Sequence, residues 1–457
     1  MKTQLKDHLK DHRFHFIGVG GIGVCGLAEI LHNMGAKVTG SDVQENANTE
    51  RLKKMGIEVM IGHRAENVGT CDVVVHSSAI SKSNPEMQAA RAQSIPLIQR
   101  GEALAELMRL KRGIAVGGTH GKTTTTTMLG SLLMNAKTNP TLYVGGRIDV
   151  LNSTVKLGDG DWMIAEADES DNSFNRLSPE IVIITNIDTD HLDYFKSMEN
   201  LKNAFLSFAS RIPFYGCAIV CGDDPAIREI FSNFPKRVLF YGFGDSNDIR
   251  ISGEKGSYEF FENEKSLGVF QLNVPGKHNA LNAAAAITAA LRSGLNFSQA
   301  AQGILDYKGV DRRFHFKGEA QSVAIYDDYA HHPTEVRATL QAFREKFPDR
   351  RIVILFQPHR FSRTEMCWND FLTAFSLSDL LLLTDIYPAG EKPIDGVHSE
   401  RLTKEVQHRN VQYFPKLESA DQMVAKLAEI IQSKDVFVTM GAGDGWKIGM
   451  QLLESRK

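Results

Sequence analysis

Gly117-Gly118-Thr119-His120-Gly121-Lys122-Thr123-Thr124 follows the apolar run Ile114-Ala115-Val116 and precedes a segment with Met128, Leu129, Leu132 and Leu133 on one helical face. A strand, a glycine loop and a helix in that order turn backbone N–H groups and a helix N-terminus toward an anion. Lys122 would then reach the outer phosphates of a nucleoside triphosphate, and Thr123 would hold Mg²⁺. The spacing departs from the common phosphate loop, because Val116 stands where its first glycine belongs and Gly117 comes one residue late. On the pattern alone, a purely structural glycine turn stays open.

Toward the amino terminus, Phe14–Val19, Lys37–Ser41, Val59–Ile61 and Val73–His76 read as strands and Ile22–Met34 as the first helix between them, a parallel α/β unit. Gly18-Val19-Gly20-Gly21-Ile22-Gly23 is a G-x-G-x-x-G at the first strand–helix turn, and Asp42 follows roughly 20 residues on. Such a turn brings backbone close to a diphosphate. NAD and a UDP-sugar satisfy it equally, and glycines serving only helix–strand packing are a third reading. His76-Ser77-Ser78 ends a strand, where open α/β sheets bind ligands, though Ser77 and Ser78 read equally well as loop residues. Leu104–Arg112 reads as a connector to the next unit.

Toward the carboxyl terminus, Trp162–Ala165 and Ile181–Thr185 read as strands that run into acids: Glu166, Asp168, Glu169 and Asp171 after the first, Asp188, Asp190 and His191 after the second. Mg²⁺ takes oxygen ligands shared with phosphates, so Glu166 and His191 are candidate ligands beside Thr123. The imidazole suits water-mediated contact or a softer ion such as Mn²⁺. Helix capping is the alternative, and it is the preferred reading for Asp168, Asp171 and Asp188. Residues 218–270 read as short irregular strands decorating this unit. Gly276-Lys277-His278-Asn279 opens the alanine-rich helix Ala280–Leu291, on which Asn279 and Asn282 share a face. They would read a base or ribose, with Asn279 equally able to cap the helix.

A third unit begins near Val310. Val323–Tyr326, Ile352–Phe356, Leu380–Thr384 and Val436–Met440 read as strands, separated by helical stretches at Thr334–Phe347, Glu365–Phe375, Ala420–Gln432 and Gly445–Leu453. Asp327-Asp328-Tyr329-Ala330-His331-His332 and Gln357-Pro358-His359-Arg360-Phe361-Ser362-Arg363 both follow strands of this sheet, at the edge where such sheets bind ligands. Arg360 and Arg363 suit a carboxylate or phosphate through bidentate contacts.

A chain of 457 residues suggests two or three domains, and 42% hydrophobic with 23% charged residues is a soluble globular balance. A net charge of −3 argues against wholesale binding to nucleic acid or an acidic membrane. The five cysteines form no C-x-x-C pair and read as reduced thiols. Met1–Arg13 is polar with no apolar core, so no signal peptide is expected, and no apolar run is long enough for a membrane span.

In chain order, GVGGIGVCGLAE, GGTHGKTTT, AEADESD, TNIDTDH, GKHNALNAAAA, DRRF, DDYAHHPTEV, FQPHRFSRT and GAGD together resemble the Mur ligase family, whose phosphate loop has the form G-T-x-G-K-T/S. The resemblance covers nearly the whole chain. It implies an α/β protein of three domains: a Rossmann-like UDP-sugar domain (1–108), a central P-loop-type ATPase domain (109–309), and a C-terminal Rossmann-like domain (310–457) serving ATP and the amino acid. The implied activity is ATP-dependent joining of L-alanine to UDP-N-acetylmuramate through an acyl phosphate; the related tripeptide-recycling branch is the nearest rival. From other classes, an NAD-dependent oxidoreductase leaves Lys122 unexplained, and a nucleotide switch predicts hydrolysis without an amino acid.

The resemblance implies that ATP meets Gly118, Thr119, His120, Gly121, Lys122, Thr123, Thr124, Asn279, Asn282, Arg313 and Asp328. It implies metal at Thr123, Glu166 and His191, the UDP-sugar at Gly18, Gly20, Gly21, Ile22, Gly23, Asp42, Ser77, Ser78 and Arg100, and the amino acid at Tyr329, His331, Arg360 and Arg363. Lys122, Glu166, His191, Arg313, Asp328 and His331 would carry the catalysis, His331 as one candidate base for the amine. Mg²⁺, with Mn²⁺ as an alternative, a bacterial cytoplasmic setting, and a monomer or weak homodimer complete the expectation.

Overall fold

The computed structural model describes residues 9–148 and 153–457; the first eight residues of the polar segment Met1–Arg13 lie outside them. Five parallel strands, β1 (Arg13–Ile17), β2 (Lys37–Asp42), β3 (Glu58–Ile61), β4 (Val73–His76) and β5 (Leu97–Gln99), form the first sheet in the order β3-β2-β1-β4-β5. The order reverses between β1 and β4, so the crevice beyond their carboxyl ends is the place for a ligand. The glycine turn after β1 and His76-Ser77-Ser78 after β4 both reach that edge. Helix α1 (Ile22–Asn33) leaves the turn with Val24–Leu31 buried.

The central sheet has ten strands: β6 (Arg112–Gly117), β7 (Thr141–Ile148), β8 (Ser153–Lys156), β9 (Trp162–Glu166), β10 (Ile181–Ile184), β11 (Cys217–Cys221), β12 (Val238–Gly242), β13 (Ile249–Glu254), β14 (Ser257–Glu262) and β15 (Lys265–Gln271). Their order is β15-β14-β13-β12-β11-β10-β6-β9-β7-β8. β6, flanked by β10 and β9, is buried along almost its whole length, which explains its unbroken apolar run. The carboxyl ends of these three neighbours deliver the glycine loop, Thr185–His191 and Glu166 to one edge.

The third sheet comprises β16 (His315–Ala320), β17 (Val323–Asp328), β18 (Ile352–Phe356), β19 (Leu380–Leu383), β20 (Val411–Tyr413) and β21 (Val436–Met440), in the order β16-β17-β21-β18-β19-β20. Only the β16–β17 pair is antiparallel. Apolar layers cover both faces, one around Phe343, Phe356 and Phe371, the other around Leu382, Leu427 and Phe437.

Several sequence expectations need correction. Leu104–Arg112 is no plain connector: helix α2 (Arg100–Met108) buries Ala103, Leu104, Leu107 and Met108, and β6 starts at Arg112. Residues 218–270 do not decorate the central domain; β11–β15 extend its sheet, with β11 and β12 continuing the parallel run. The helix read at Glu365–Phe375 breaks at Cys367 into Phe361–Met366 and Trp368–Phe371, because Cys367 leaves helical geometry at φ −96°, ψ 14°.

By packing, the chain forms two compact units. The first holds the described residues up to Ser252, with Tyr258–Gln271 and Leu281–Tyr307; the second holds Gly253–Ser257, Leu272–Ala280 and Lys308–Lys457. The first two sheets share a unit because side chains lock them together. Ser153 donates to Glu29 at 2.8 Å, Glu29 also meets Arg51, and the Tyr143 hydroxyl donates to the Gly23 carbonyl at 2.7 Å.

Candidate active site

The loop after β6 enters helix α3 (Lys122–Asn135) through Gly121, at φ 82°. Gly118 has φ 128°, and a Cβ there would lie 2.0 Å from the Thr185 hydroxyl, so only glycine lets the loop press against the strand end beside it. The segment after β10 stitches the loop in place. Thr119 N–H donates to the Asn186 carbonyl (3.0 Å), His120 N–H to Asn186 Oδ1 (2.8 Å), and Asp188 N–H to the Thr119 hydroxyl (2.9 Å). His120 Nε2 lies 3.1 Å from an Asp188 carboxylate oxygen, so Asp188 braces the loop rather than capping a helix.

Lys122 Nζ donates to the carbonyls of Gly118 (2.6 Å) and Thr119 (3.0 Å) and to Glu169 Oε1 (2.8 Å). Burial pulls the ammonium down, but Glu169 and neighbouring carboxylates outweigh it and raise its pKa. Burial pushes Glu169 up to about 7 against the pull of Lys122. One residue on, the Thr123 hydroxyl donates to Glu166 Oε2 at 2.9 Å, and Gly145 N–H reaches the same oxygen at 2.8 Å. Thr124 is buried behind them. His191, at φ 57°, places Nε2 3.7 Å from Glu169 Oε1 and 3.7 Å from Asp190 Oδ2. Thr123 and Glu166 are therefore brought together as anticipated, while His191 faces Glu169, a residue that sequence reasoning left among the acids after β9.

At the amino-terminal turn, Asp42 ends β2 and accepts the Gly20 N–H at 2.8 Å, fixing the loop. A Cβ on Gly20 would come within 2.5 Å of the Asn46 amide and 2.9 Å of the Asp42 carboxylate, so a side chain there would displace these two groups from the turn. Gly18 has φ 77°, Gly21 caps α1, and Ile22 is exposed on its first turn. Ser77 is half-buried and Ser78 exposed beside this turn. Arg100 opens α2 and donates to Asp168 at 2.9 Å and to the Tyr143 hydroxyl at 3.4 Å. Burial opposes, but Arg100 holds Asp168 below the ordinary carboxylate range. Asp168 thus serves as an arginine partner, and Asp171, accepting Ser173 N–H at 3.0 Å, closes a local turn; neither caps an α-helix.

Helix α4 (Lys277–Arg292) carries both asparagines, buried. Asn279 is no cap: it sits inside the helix and its amide donates back to Pro275 O at 2.7 Å. Asn282 lies against the glycine loop after β6, its Oδ1 2.7 Å from where a Gly121 Cβ would be.

In the second unit, Asp328 ends β17 and accepts N–H groups from Phe314 (2.7 Å) and Ala330 (2.8 Å); burial pushes it up to about 6. Arg312 and Arg313 lie over the Tyr329 ring at 4.9 and 5.1 Å. Arg313 also reaches Glu335, at 3.4 Å, on helix α5 (Pro333–Lys346). His331 Nδ1 donates to the Tyr329 carbonyl at 2.9 Å, which leaves Nε2 as the acceptor, and burial lowers its pKa to about 4. His359 stands 6.0 Å from the His331 ring and stacks on Tyr387, and burial lowers it to about 3. Arg363 is buried with a nitrogen 3.3 Å from His359 Nδ1, whereas Arg360 is exposed at the start of its helix, at φ 69°.

Three matches partition the chain: residues 13–112 match the Mur ligase family, catalytic domain; 116–290 the Mur ligase middle domain; and 312–443 the Mur ligase, glutamate ligase domain. A UDP-N-acetylmuramate–L-alanine ligase of Bdellovibrio bacteriovorus is 59% identical over 97% of this chain and 99% of its own length. One from Geobacter sp. (strain M21) is 44% identical over 97% of each. The crystal structure of the UDP-N-acetylmuramate–alanine ligase of Thermotoga maritima superposes with a TM-score of 0.80 at 28% identity, covering 97% of this chain and 99% of that one.

Proposed function

The chain belongs to the Mur ligase family, and from that membership we infer that it is an ATP-dependent ligase joining L-alanine to the carboxylate of UDP-N-acetylmuramate, a step in peptidoglycan precursor synthesis. Identity of 59% over essentially the full length of a relative with that activity carries the substrate assignment. The protein is an α/β enzyme of three domains, for which we propose the boundaries 1–108, 109–309 and 310–457. No helix among the described residues is long and apolar enough to cross a membrane. A bacterial cytoplasmic setting and a monomer or weak homodimer belong to the same proposal.

A carboxylate oxygen of UDP-N-acetylmuramate attacks the γ-phosphorus of ATP; the bond to the bridging oxygen breaks and ADP leaves. The amine of L-alanine then attacks the acyl carbon, and the tetrahedral intermediate expels phosphate as the nitrogen loses its proton. The protein's work is alignment and charge neutralisation, not nucleophilic attack. Lys122, held over the loop, meets the γ-phosphate, and Gly118–Gly121 with Thr124 shape the cradle. Asn279, Asn282, Arg313 and Asp328 complete ATP recognition.

The Thr123 hydroxyl and Glu166 carboxylate, 2.9 Å apart beside that cradle, are an oxygen pair suited to Mg²⁺, with the His191 nitrogen extending the set and admitting Mn²⁺. A bound divalent ion there supplies phosphate charge neutralisation. Gly18–Gly23, Asp42, Ser77, Ser78 and Arg100 take the UDP-sugar. Tyr329, His331, Arg360 and Arg363 receive L-alanine, the arginines through its carboxylate. His331, whose pKa burial lowers to about 4, is one candidate base for the amine through Nε2; a water or a phosphate oxygen is the alternative acceptor of that proton.

A phosphate-release assay tests this reading. Phosphate is expected only when UDP-N-acetylmuramate, L-alanine, ATP and Mg²⁺ are all present; equal release with ATP and Mg²⁺ alone would refute it.

A further inference from the structure

Lys122 has three N–H donors. Two go to the Gly118 and Thr119 carbonyls, and the third goes to Glu169 Oε1 at 2.8 Å. The loop carbonyls are part of the cradle, so the third donor is the one available for an incoming phosphate, and in this structure a carboxylate holds it. Glu169 is 1% exposed. Its other oxygen, Oε2, is buried without a hydrogen-bond partner, an arrangement that costs free energy, so an anion that takes the ammonium must do so against a buried carboxylate.

We propose that Glu169 is a positioning residue that stands in for the terminal phosphate of ATP: it neutralises and aims Lys122 in the nucleotide-free loop and must yield the ammonium when ATP binds. The carboxylate and the γ-phosphate compete for one N–H of one side chain. The competition belongs to the free enzyme, so relieving it strengthens ground-state and transition-state binding alike, and the gain appears in KM. AMP has no outer phosphate to compete for Lys122 and is insensitive to the exchange. A merely structural ion pair predicts the reverse, since loosening the loop would weaken AMP and ATP together.

The inference rests on the reading of 117–124 as the ATP loop, and the test separates the two. ATP and AMP affinities are measured by calorimetry in Mg²⁺ buffer for the wild-type protein, Glu169→Gln and Glu169→Asp, with the KM for ATP alongside. Wild-type protein that fails to bind ATP overturns the loop reading itself. Given wild-type binding, the proposal expects Glu169→Gln to tighten ATP on the order of tenfold, the scale of one charge-assisted hydrogen bond, with a parallel fall in KM and no change for AMP. Glu169→Asp keeps the charge but is one methylene too short to hold the ammonium at 2.8 Å; it moves the same way by less, and carries the test if the glutamine variant does not fold. Unchanged or weaker ATP binding in the folded variants, or equal shifts for AMP and ATP, would overturn the proposal.

Discussion

At the scale of single residues, Lys122 and Thr123 carry the account. Removing the ammonium in Lys122→Ala takes away γ-phosphate charge stabilisation, and turnover should fall by roughly 10²–10³-fold or more; steady-state assays showing near-wild-type turnover would refute that role. Thr123→Val keeps the shape but loses the hydroxyl that meets Glu166 at 2.9 Å. A Mg²⁺ titration of activity should shift to higher concentration, and an unmoved curve would remove Thr123 from the metal site. The placing of these two residues at the turn from β6 into α3 was legible in the sequence, because strand, glycine loop and helix form a local pattern. Glu169 was not: its partner is 47 positions away, and no spacing rule distinguishes it from the other acids of Glu166–Asp171. Tyr143 escaped for the same reason, as an apolar-looking strand residue whose hydroxyl reaches Gly23 across 120 positions.

At the scale of elements, strand ends decide the site. Gly118 is fixed by the crowding of β6 against the segment after β10, so Gly118→Ala must either strain the backbone or push Thr185 away. The variant should lose ATP binding in calorimetry while keeping its far-ultraviolet circular dichroism; undiminished ATP binding would show the loop tolerates the methyl. Three histidines, one in the first turn of helix α4 and two after strands of the third sheet, make a pH prediction. Burial lowers His278 to about 4, His331 to about 4 and His359 to about 3, below the ordinary value of 6.5. The unfolded chain therefore takes up protons first as pH falls, and stability is lost between about 6.5 and 4. Asp328, raised from 3.8 to about 6, and Glu169, raised from 4.5 to about 7, run the other way and offset part of the loss.

Thermal melts should drop from pH 7.5 to pH 5, and His359→Asn should shrink the drop; a flat profile would contradict the burial of these rings. Strands were read well here because both faces are covered and the apolar runs are unbroken. Helix α2 and the break at Cys367 were missed, because the first follows a three-residue strand without a pause and the second depends on backbone geometry that no residue type announces.

At the scale of the whole molecule, three sheets were legible from three runs of strand–helix alternation, but two compact units were not. The first two sheets are joined in part by polar contacts, such as Arg100 with Asp168 and Ser153 with Glu29, between segments far apart in the chain. Full-length likeness to ligases of known substrate supplied what site chemistry alone leaves open, the identity of the acid and the amine. The central claim is that ATP is spent by transferring its γ-phosphoryl group to the sugar carboxylate before the amide forms. It is tested most directly with UDP-N-acetylmuramate carrying oxygen-18 in both carboxylate oxygens, turned over with ATP, Mg²⁺ and L-alanine. Mass spectrometry of the released phosphate should find one labelled oxygen per molecule, with the other retained in the new amide. Phosphate without label, formed alongside the ligated product, would contradict the account.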